Sequence, residues 1–229
     1  MLESIKRLKW YEYVIWIGSV LIISISYIVF HVEGYMTLTA SLVGVTGLIF
    51  LAKGDVLGQI LTVVFSILYA IVAYRFRYWG EMITYLGMTM PIAMAAVVTW
   101  LKNPYKKGEV RVRHTSPKMW GMLSITAVIV TAVFYYILRF FKTPNLILST
   151  ISVTTSFMAA SLAMLRSSYY ALFYAMNDVV LIILWFLATA ENKSFLPMVL
   201  CFLCFLVNDF YGFINWQKMK TIQAYSTQN

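Results

Sequence analysis

Two Asn-Asp dipeptides are each surrounded by about twenty otherwise apolar residues; they are Asn177-Asp178 and Asn208-Asp209. Their amides can donate and accept hydrogen bonds, and their carboxyl groups can also exchange a proton. A polar or ionisable group at bilayer depth costs about 2.5–3.5 kcal/mol on insertion scales, so such groups tend to face a bundle interior or a substrate path. The two dipeptides therefore predict a polar site within a membrane.

Helical spacing places polar and aromatic side chains on one face of each of three predicted helices. The seventh helix contributes Tyr170, Phe173, Tyr174, Asn177 and Asp178, the eighth contributes Asn208 and Tyr211, and the third contributes Gln59, Thr62, Ser66 and Tyr69. We predict that these residues line a binding site. Such a lining suits a flat, polar heteroaromatic molecule, since rings stack on its faces while amides bond to its edges.

Each of these side chains also has a structural interpretation. Hydroxyl groups such as those of Thr62 and Ser66 often bond to their own helix or join two helices. A buried amide such as Asn177 can fix helix register without touching a ligand. Trp100 and Trp216 lie near span ends, where aromatic residues commonly anchor a helix at the membrane surface.

The composition predicts a polytopic α-helical membrane protein. Hydrophobic residues make up 61% of the chain and charged residues only 12%, and the mean hydropathy is +0.78. The formal net charge of +9 would suit nucleic-acid binding. However, the Lys and Arg residues lie in short connections between apolar runs, where topology and lipid headgroups explain them. We therefore expect no nucleic-acid partner.

Apolar runs of about twenty residues, the length that crosses a bilayer, predict eight transmembrane helices. They cover roughly residues 11–31, 36–52, 56–74, 82–101, 118–139, 145–165, 168–189 and 195–216. The first run follows a basic segment but is too long for the apolar region of a signal peptide, so we expect it to be retained.

The distribution of Lys and Arg predicts that both termini are cytoplasmic. Alternate connections and the termini place thirteen of the eighteen basic residues on one side: Lys6, Arg7, Lys9, Lys53, Lys102, Lys106, Lys107, Arg111, Arg113, Lys118, Arg166, Lys218 and Lys220. Only Arg75, Arg77, Arg139, Lys142 and Lys193 fall on the other side. The excess marks the cytoplasmic side.

The connection around 102–117 divides the chain near its middle and separates two similar three-helix groups. The first group ends in Trp100-Leu101-Lys102 and the second in Trp216-Gln217-Lys218. A single helix between the groups would keep them parallel, as in SWEET transporters. The predicted organisation is an extra helix (1–35), a first repeat (36–101), a loop and linker helix (102–144), a second repeat (145–218) and a cytoplasmic tail (219–229).

Metal and enzyme chemistry find little support in the sequence. The two histidines, His31 and His114, lie at a predicted span end and in a loop, and no His-Glu-x-x-His motif occurs. Cys201 and Cys204 lie in an apolar run, where we expect them to pack as small hydrophobic residues. We therefore predict neither an enzyme nor a cofactor.

The polar residues occur in motifs that resemble PnuC-type vitamin transporters. Tyr170-x-x-Phe173-x-x-x-Asn177 is similar to their Trp-x-x-Trp-x-x-x-Asn, and the segment from Asn208 to Trp216 resembles their closing Asn-x-x-Tyr-Gly-x-x-x-Trp signature. Gly80-Glu81, followed by Pro91, resembles a pair that precedes another helix of the family. The resemblance spans about residues 36–218.

This resemblance implies a SWEET-like facilitator in a bacterial cytoplasmic membrane, assembled as a homotrimer, that admits nicotinamide riboside. It also implies passive uptake, followed by trapping through a cytoplasmic kinase. Tyr170 and Phe173 would stack against or border the base, Asn177 would read it, and Asn208 and Tyr211 would complete the pocket.

Some alternatives remain open. Smaller rings replace both family tryptophans, and Ala93 stands where the family often has Gln, so another nucleoside, such as a deoxynucleoside, or thiamine is an alternative cargo. Asp178 could orient Asn177 or contact ribose, but a carboxylate at this depth also suits proton coupling. A membrane scaffold without a substrate is the third class.

Overall fold

The computed structural model describes residues 2–30, 35–75, 77–106 and 108–226. His31 and Lys107, which figured in the predictions, lie outside these ranges. The helices are α1 (Leu2–Lys6), α2 (Trp10–Val29), α3 (Tyr35–Ala52), α4 (Val56–Arg75), α5 (Trp79–Thr84), α6 (Met90–Leu101), α7 (Pro117–Phe140), α8 (Leu146–Met164), α9 (Tyr170–Glu191) and α10 (Leu196–Tyr225). Short 3₁₀ and β segments cover Lys193–Phe195, Pro104–Lys106 and Glu109–Val110.

Within the described ranges, eight helical segments are long and apolar enough to cross a membrane. Seven begin and end within about three residues of the predicted spans, which confirms the predicted all-α class. The eighth differs, because α10 continues to Tyr225, past the predicted end at 216 and into the predicted tail. The last turns of α10 are polar and pack against the 102–117 connection, so hydropathy alone could not predict them as helix.

The fourth span contains a π-helical segment. A π-helix over Tyr85–Thr89 joins α5 to α6 without a break, and Pro91 follows in the first turn of α6. Proline has no N–H to donate to the preceding turn, which accounts for a wider turn here. Such segments often lie at functional sites.

Segments that were predicted to be cytoplasmic meet at one end of the bundle, which we call the basic end. The Arg7 guanidinium pairs with the carboxylate of Asp55 and donates to the carbonyl of Gly108 at 2.6 Å. The Val110 amide donates to the carbonyl of Gly54 at 3.0 Å. These contacts hold the short β-hairpin of the 102–117 connection against the helix ends.

The extension of α10 belongs to the same end. The Gln223 side chain accepts from the Val112 amide at 2.8 Å and donates to the Val110 carbonyl at 3.1 Å. Arg166 lies nearby, where burial, followed by the charges of Arg113 and Arg111, lowers its guanidinium pKa. The amino-terminal helix, the 102–117 connection and the end of α10 thus lie at one end of the bundle, as the predicted alternation of connections requires. That this end is cytoplasmic stays a prediction.

Trp100 and Trp216 make equivalent hydrogen bonds in the two halves of the chain. The indole of Trp100, on α6, donates to the carbonyl of Ala163 at 2.8 Å, and that of Trp216, on α10, donates to Leu51 at 2.9 Å. Both rings are fully buried, with centroids 5.4 Å apart. Interpreting them as anchors at the membrane surface was therefore wrong.

The residues preceding the two tryptophans continue the correspondence. The Thr99 hydroxyl donates to the carbonyl of Met164 at 2.9 Å, and the Asn215 amide donates to Ala52 at 2.7 Å. Met164 and Ala52 end α8 and α3. Helix ends leave carbonyl groups without intrahelical partners, so each three-helix group satisfies the open end of the other.

Helix packing follows the same pattern. Helix α3 packs on α4 and α10, whereas α8 packs on α9 and α6. The first helix of each group thus contacts the second helix of its own group and the third helix of the other. These matched contacts support the predicted parallel repeat, which we retain as a proposal.

Candidate functional site

A cavity lined by polar and aromatic side chains lies between the two three-helix groups and has a volume of about 50 Å³. Its polar lining comprises Thr62, Thr89, Ser156, Asn177, Asp178 and Asp209, and its aromatic lining comprises Phe65, Tyr85, Tyr174, Phe202 and Phe205. The lining side chains come from α3, α4, the π-helical segment, α8, α9 and α10. All three spans of each group therefore contribute to the cavity. The fourth predicted span does so only through its π-helical segment, not through α5 or α6.

The amide of Asn177 is oriented by two hydroxyl groups of α8. Its carbonyl oxygen accepts hydrogen bonds from Ser152 at 3.1 Å and from Thr155 at 2.9 Å. No protein acceptor for the amide nitrogen occurs among the described residues, and the side chain lines the cavity. The amide is thus positioned to offer N–H donors to a bound molecule.

Asp178 and Asp209 form a carboxyl pair across the cavity lining. Both side chains line the cavity, and both are buried, with exposed fractions of 4% and 3%. The Oδ2 atom of Asp178 has no hydrogen-bond partner. Because buried polar atoms are normally satisfied, an orphaned oxygen in a cavity wall indicates a polar ligand or water.

The π-helical segment contributes a second orphaned group. Tyr85 and Thr89, the first and last residues of this segment, both line the cavity. The Thr89 hydroxyl oxygen is buried without a partner. The segment therefore contributes one aromatic ring and one hydroxyl group to the same lining as the carboxyl pair.

Aromatic rings form another part of the cavity lining. The ring centroid of Phe65 lies 5.7 Å from that of Phe205 and 5.8 Å from that of Tyr85, both in edge-on arrangements. Gly44 lies behind them, where a Cβ atom would be only 3.0 Å from the Phe65 ring and would collide with Phe205. Glycine thus permits the close approach of the rings to α3.

Four of the predicted site residues lie together at this cavity: Thr62, Tyr174, Asn177 and Asp178. Thr62 also donates its hydroxyl to the Gly58 carbonyl at 2.9 Å, so it bonds within its own helix as the structural interpretation expected. Its presence in the lining nevertheless brings the third and seventh predicted spans to one site.

Tyr170 and Phe173 contact other parts of the bundle. Tyr170 is buried one turn before Tyr174 and packs edge-on against Trp216, with ring centroids 4.8 Å apart. Phe173 packs on Trp120 of α7, at 6.1 Å between ring centroids. The structure does not bring either ring to the cavity lining.

Asn208 and Tyr211 face α2 instead. The Asn208 amide donates to Ser19 at 3.1 Å and to the carbonyl of Cys204 at 2.8 Å. The Tyr211 hydroxyl donates to the carboxylate of Glu12. These contacts attach the extra first span to the second three-helix group.

The remaining predicted residues of α4 are buried beside the cavity lining. The Ser66 hydroxyl donates to the Thr62 carbonyl at 2.8 Å, and the Tyr69 hydroxyl accepts from the Trp185 indole at 3.1 Å. Gln59 is buried and its amide nitrogen has no partner. Of the four α4 residues predicted to line a binding site, only Thr62 lines the cavity.

The sequence analysis did not predict several residues of the cavity lining, because their place there depends on which helices pack together. Asp209 belongs to a dipeptide already singled out, and Pro91 marked the span that contributes Tyr85 and Thr89. Ser156 and the rings of Phe65, Phe202 and Phe205 carried no distinguishing signal. The lining contains no Lys, Arg or His side chain, and no cluster suited to a metal ion occurs in the described part of the chain.

Comparison with known proteins identifies relatives. A family model described as "Nicotinamide mononucleotide transporter" matches residues 34–218. A Neisseria mucosa protein named "Nicotinamide riboside transporter PnuC" is 26% identical over 212 residues, covering 90% of this chain and 80% of that protein. A Haemophilus influenzae protein of the same name is 23% identical over 209 residues, covering 90% of this chain and 89% of that protein.

The fold has a solved counterpart. A structure described as "Crystal structure of the Vitamin B3 transporter PnuC" superposes with a TM-score of 0.82 at 24% identity and covers 94% of both chains. Together with the family match, this confirms the predicted resemblance and the prediction of a membrane transporter, not an enzyme. The chain belongs to the nicotinamide mononucleotide transporter family.

Proposed function

We propose that this protein is a facilitator that admits nicotinamide riboside across a bacterial cytoplasmic membrane. The observation that carries the proposal is the enclosed cavity at Asn177, with its oriented amide and the orphaned oxygens of Asp178 and Thr89. The aromatic walls suit the faces of a nicotinamide ring, and the polar groups suit its carboxamide and its ribose hydroxyls.

The charge of the cavity favours a riboside over a mononucleotide as the cargo. Phosphate recognition normally uses Arg, Lys or a helix N-terminus, and the described lining contains no cationic side chain. Instead it contains two carboxyl groups, which would repel a phosphate. The family description names the mononucleotide and the two relatives are named for the riboside; cavity chemistry supports the latter for this chain.

Uptake is proposed to be passive, with a cytoplasmic kinase trapping the product as its phosphate. The sequence has no Gly-x-x-x-x-Gly-Lys-Ser/Thr motif that would supply ATP-driven transport within this chain. With the membrane potential held at zero, purified protein in proteoliposomes without kinase should bring labelled nicotinamide riboside to equal concentrations inside and outside. Accumulation of unmodified substrate above the outside concentration would contradict passive transport.

Proton-coupled uptake is the second candidate. The shared cavity lining of Asp178 and Asp209 favours it, because two neighbouring buried carboxyl groups do not both ionise and so retain an exchangeable proton. Imposing a pH gradient on the same proteoliposomes separates the two mechanisms. We expect the final concentration ratio to be unaffected by the gradient.

Cargo and assembly need separate measurements. Ligand-induced thermal stabilisation in detergent, across nicotinamide riboside, its mononucleotide, thiamine and deoxynucleosides, should give the largest shift with the riboside. A scaffold without a substrate would give no shift with any of them. We also propose a homotrimer, for which light scattering of the detergent-solubilised protein should give three times the chain mass.

A further inference from the structure

The carboxyl pair of Asp178 and Asp209 has no counter-ion in the protein. Both groups are almost completely buried, and the Oδ2 atom of Asp178 has no partner. Two other buried acids have cationic partners, since Lys53 bonds to Glu12 at 2.9 Å and Arg7 pairs with Asp55. Glu81 is buried without such a partner, but it lies outside the cavity lining.

Charge balance limits what the pair can hold. Two neighbouring buried carboxyl groups do not both ionise, so the pair can carry at most one negative charge. A buried charge is costly unless an opposite charge accompanies it. Since no Lys, Arg or His lies in the described lining, a bound molecule is the available source of the opposite charge.

The rings around the pair are suited to the same task. Tyr85, Tyr174, Phe65 and Phe205 line the cavity together with the two carboxyl groups. The faces of aromatic rings attract cations, and sites built from several rings recognise quaternary nitrogen. The carboxyl groups and the aromatic rings thus both favour a positively charged ligand.

We infer that Asp178 and Asp209 act as a charge filter that admits a flat heteroaromatic ring bearing a quaternary nitrogen and disfavours neutral nucleosides. This inference rests on the proposed function and narrows its cargo class. The ring of nicotinamide riboside is an N-glycosylated pyridinium with one positive charge, and the thiazolium of thiamine has the same charge. Deoxynucleosides are neutral at pH 7 and lack this feature.

A matched pair of ligands tests the filter without altering the protein. Nicotinamide riboside and its dihydro form share the ribose and carboxamide, but hydride addition neutralises the pyridinium ring. Calorimetric titration of the detergent-solubilised full chain should show that the cation binds about tenfold or more tightly. Equal affinity, or preference for the neutral form, would overturn the filter while leaving a riboside site in place.

The variant Asp178→Asn/Asp209→Asn should abolish the discrimination. It removes both ionisable groups from the described lining with little change in shape. We expect affinity for the cation to fall about tenfold or more and affinity for the dihydro form to be retained, which also reports a folded site. Retained discrimination in this variant would overturn the inference. If it fails to fold, the wild-type comparison decides alone.

A third comparison separates failure of the filter from failure of the proposed cargo. If neither form of the riboside binds, thiamine is titrated against an analogue in which a neutral thiophene replaces the thiazolium. Preference for thiamine would uphold the filter and reject the riboside. Binding of neutral nucleosides alone, or of no compound in these sets, would overturn the filter.

Discussion

At the residue scale, the two Asn-Asp dipeptides divide their polar groups between different neighbours. Successive helical residues are rotated by about 100°, so adjacent side chains face different partners. Asn208 bonds to α2, while Asp209 lines the cavity. On α9, Asn177 bonds to α8, and Asp178 lines the cavity together with Asp209. The same dipeptide thus joins the bundle and supplies the site.

This division predicts different consequences for two similar substitutions. Asn177→Leu removes the amide donor facing the cavity, and we expect riboside affinity to fall about 2- to 12-fold for each lost hydrogen bond of 0.5–1.5 kcal/mol. Asn208→Leu removes the bond to Ser19, so it should lower the melting temperature and leave the affinity unchanged. Calorimetric titration and thermal unfolding measure both. Normal affinity in Asn177→Leu would return this residue to a structural role.

Gly44 provides a test of the aromatic wall. In Gly44→Ala, the new methyl group would collide with Phe205 and approach Phe65 to 3.0 Å. Both rings line the cavity, so their displacement should change its shape and lower the affinity about fivefold or more. Gly18→Ala is the matched control, since no atom lies within 4 Å of a Cβ there. Unchanged affinity in Gly44→Ala would show that the wall is not part of the site.

At the element scale, the two three-helix groups are held together by reciprocal hydrogen bonds to helix ends. Trp100→Phe and Trp216→Phe each remove one indole hydrogen bond to a buried carbonyl, at Ala163 or Leu51, which keeps a hydrogen bond from a backbone N–H. We expect each to reduce the free energy of unfolding by about 0.5–1.5 kcal/mol.

Denaturant unfolding in detergent measures this cost, with Trp10→Phe as the control because its ring is 76% exposed. Similar losses in the two buried positions would support the parallel repeat. A loss of stability in only one of the two variants would argue that the two hydrogen bonds do not stabilise the two halves equally.

Hydropathy and spacing predicted the elements more completely than the site. A transmembrane helix satisfies its own backbone, so an apolar run reports each span without reference to its neighbours. The cavity depends on which helices are neighbours. The five predicted residues of α9 cover an arc of about 140°, and at its edge Phe173 faces Trp120 of α7. Asp209 and the π-helical segment acquire their roles only through tertiary packing.

At the scale of the whole molecule, the basic end gathers the amino-terminal helix, the 102–117 connection and the end of α10. Eight spans between described termini place α1 and the end of α10 on the same side. Their common location is a structural fact. Its assignment to the cytoplasm rests on the excess of Lys and Arg in these segments.

Cysteine labelling from outside intact cells tests this orientation. Lys106→Cys lies in the hairpin of the basic end, and Lys142→Cys lies in the connection between α7 and α8 at the other end; both side chains are exposed. Because thirteen of the eighteen basic residues are on the side of Lys106, an impermeant maleimide should label Lys142→Cys and spare Lys106→Cys until the cells are opened. The native Cys201 and Cys204 are buried, so the parent protein should give little background. Labelling of Lys106→Cys in intact cells would invert the topology and, with it, the direction in which the cavity must open to take up its cargo.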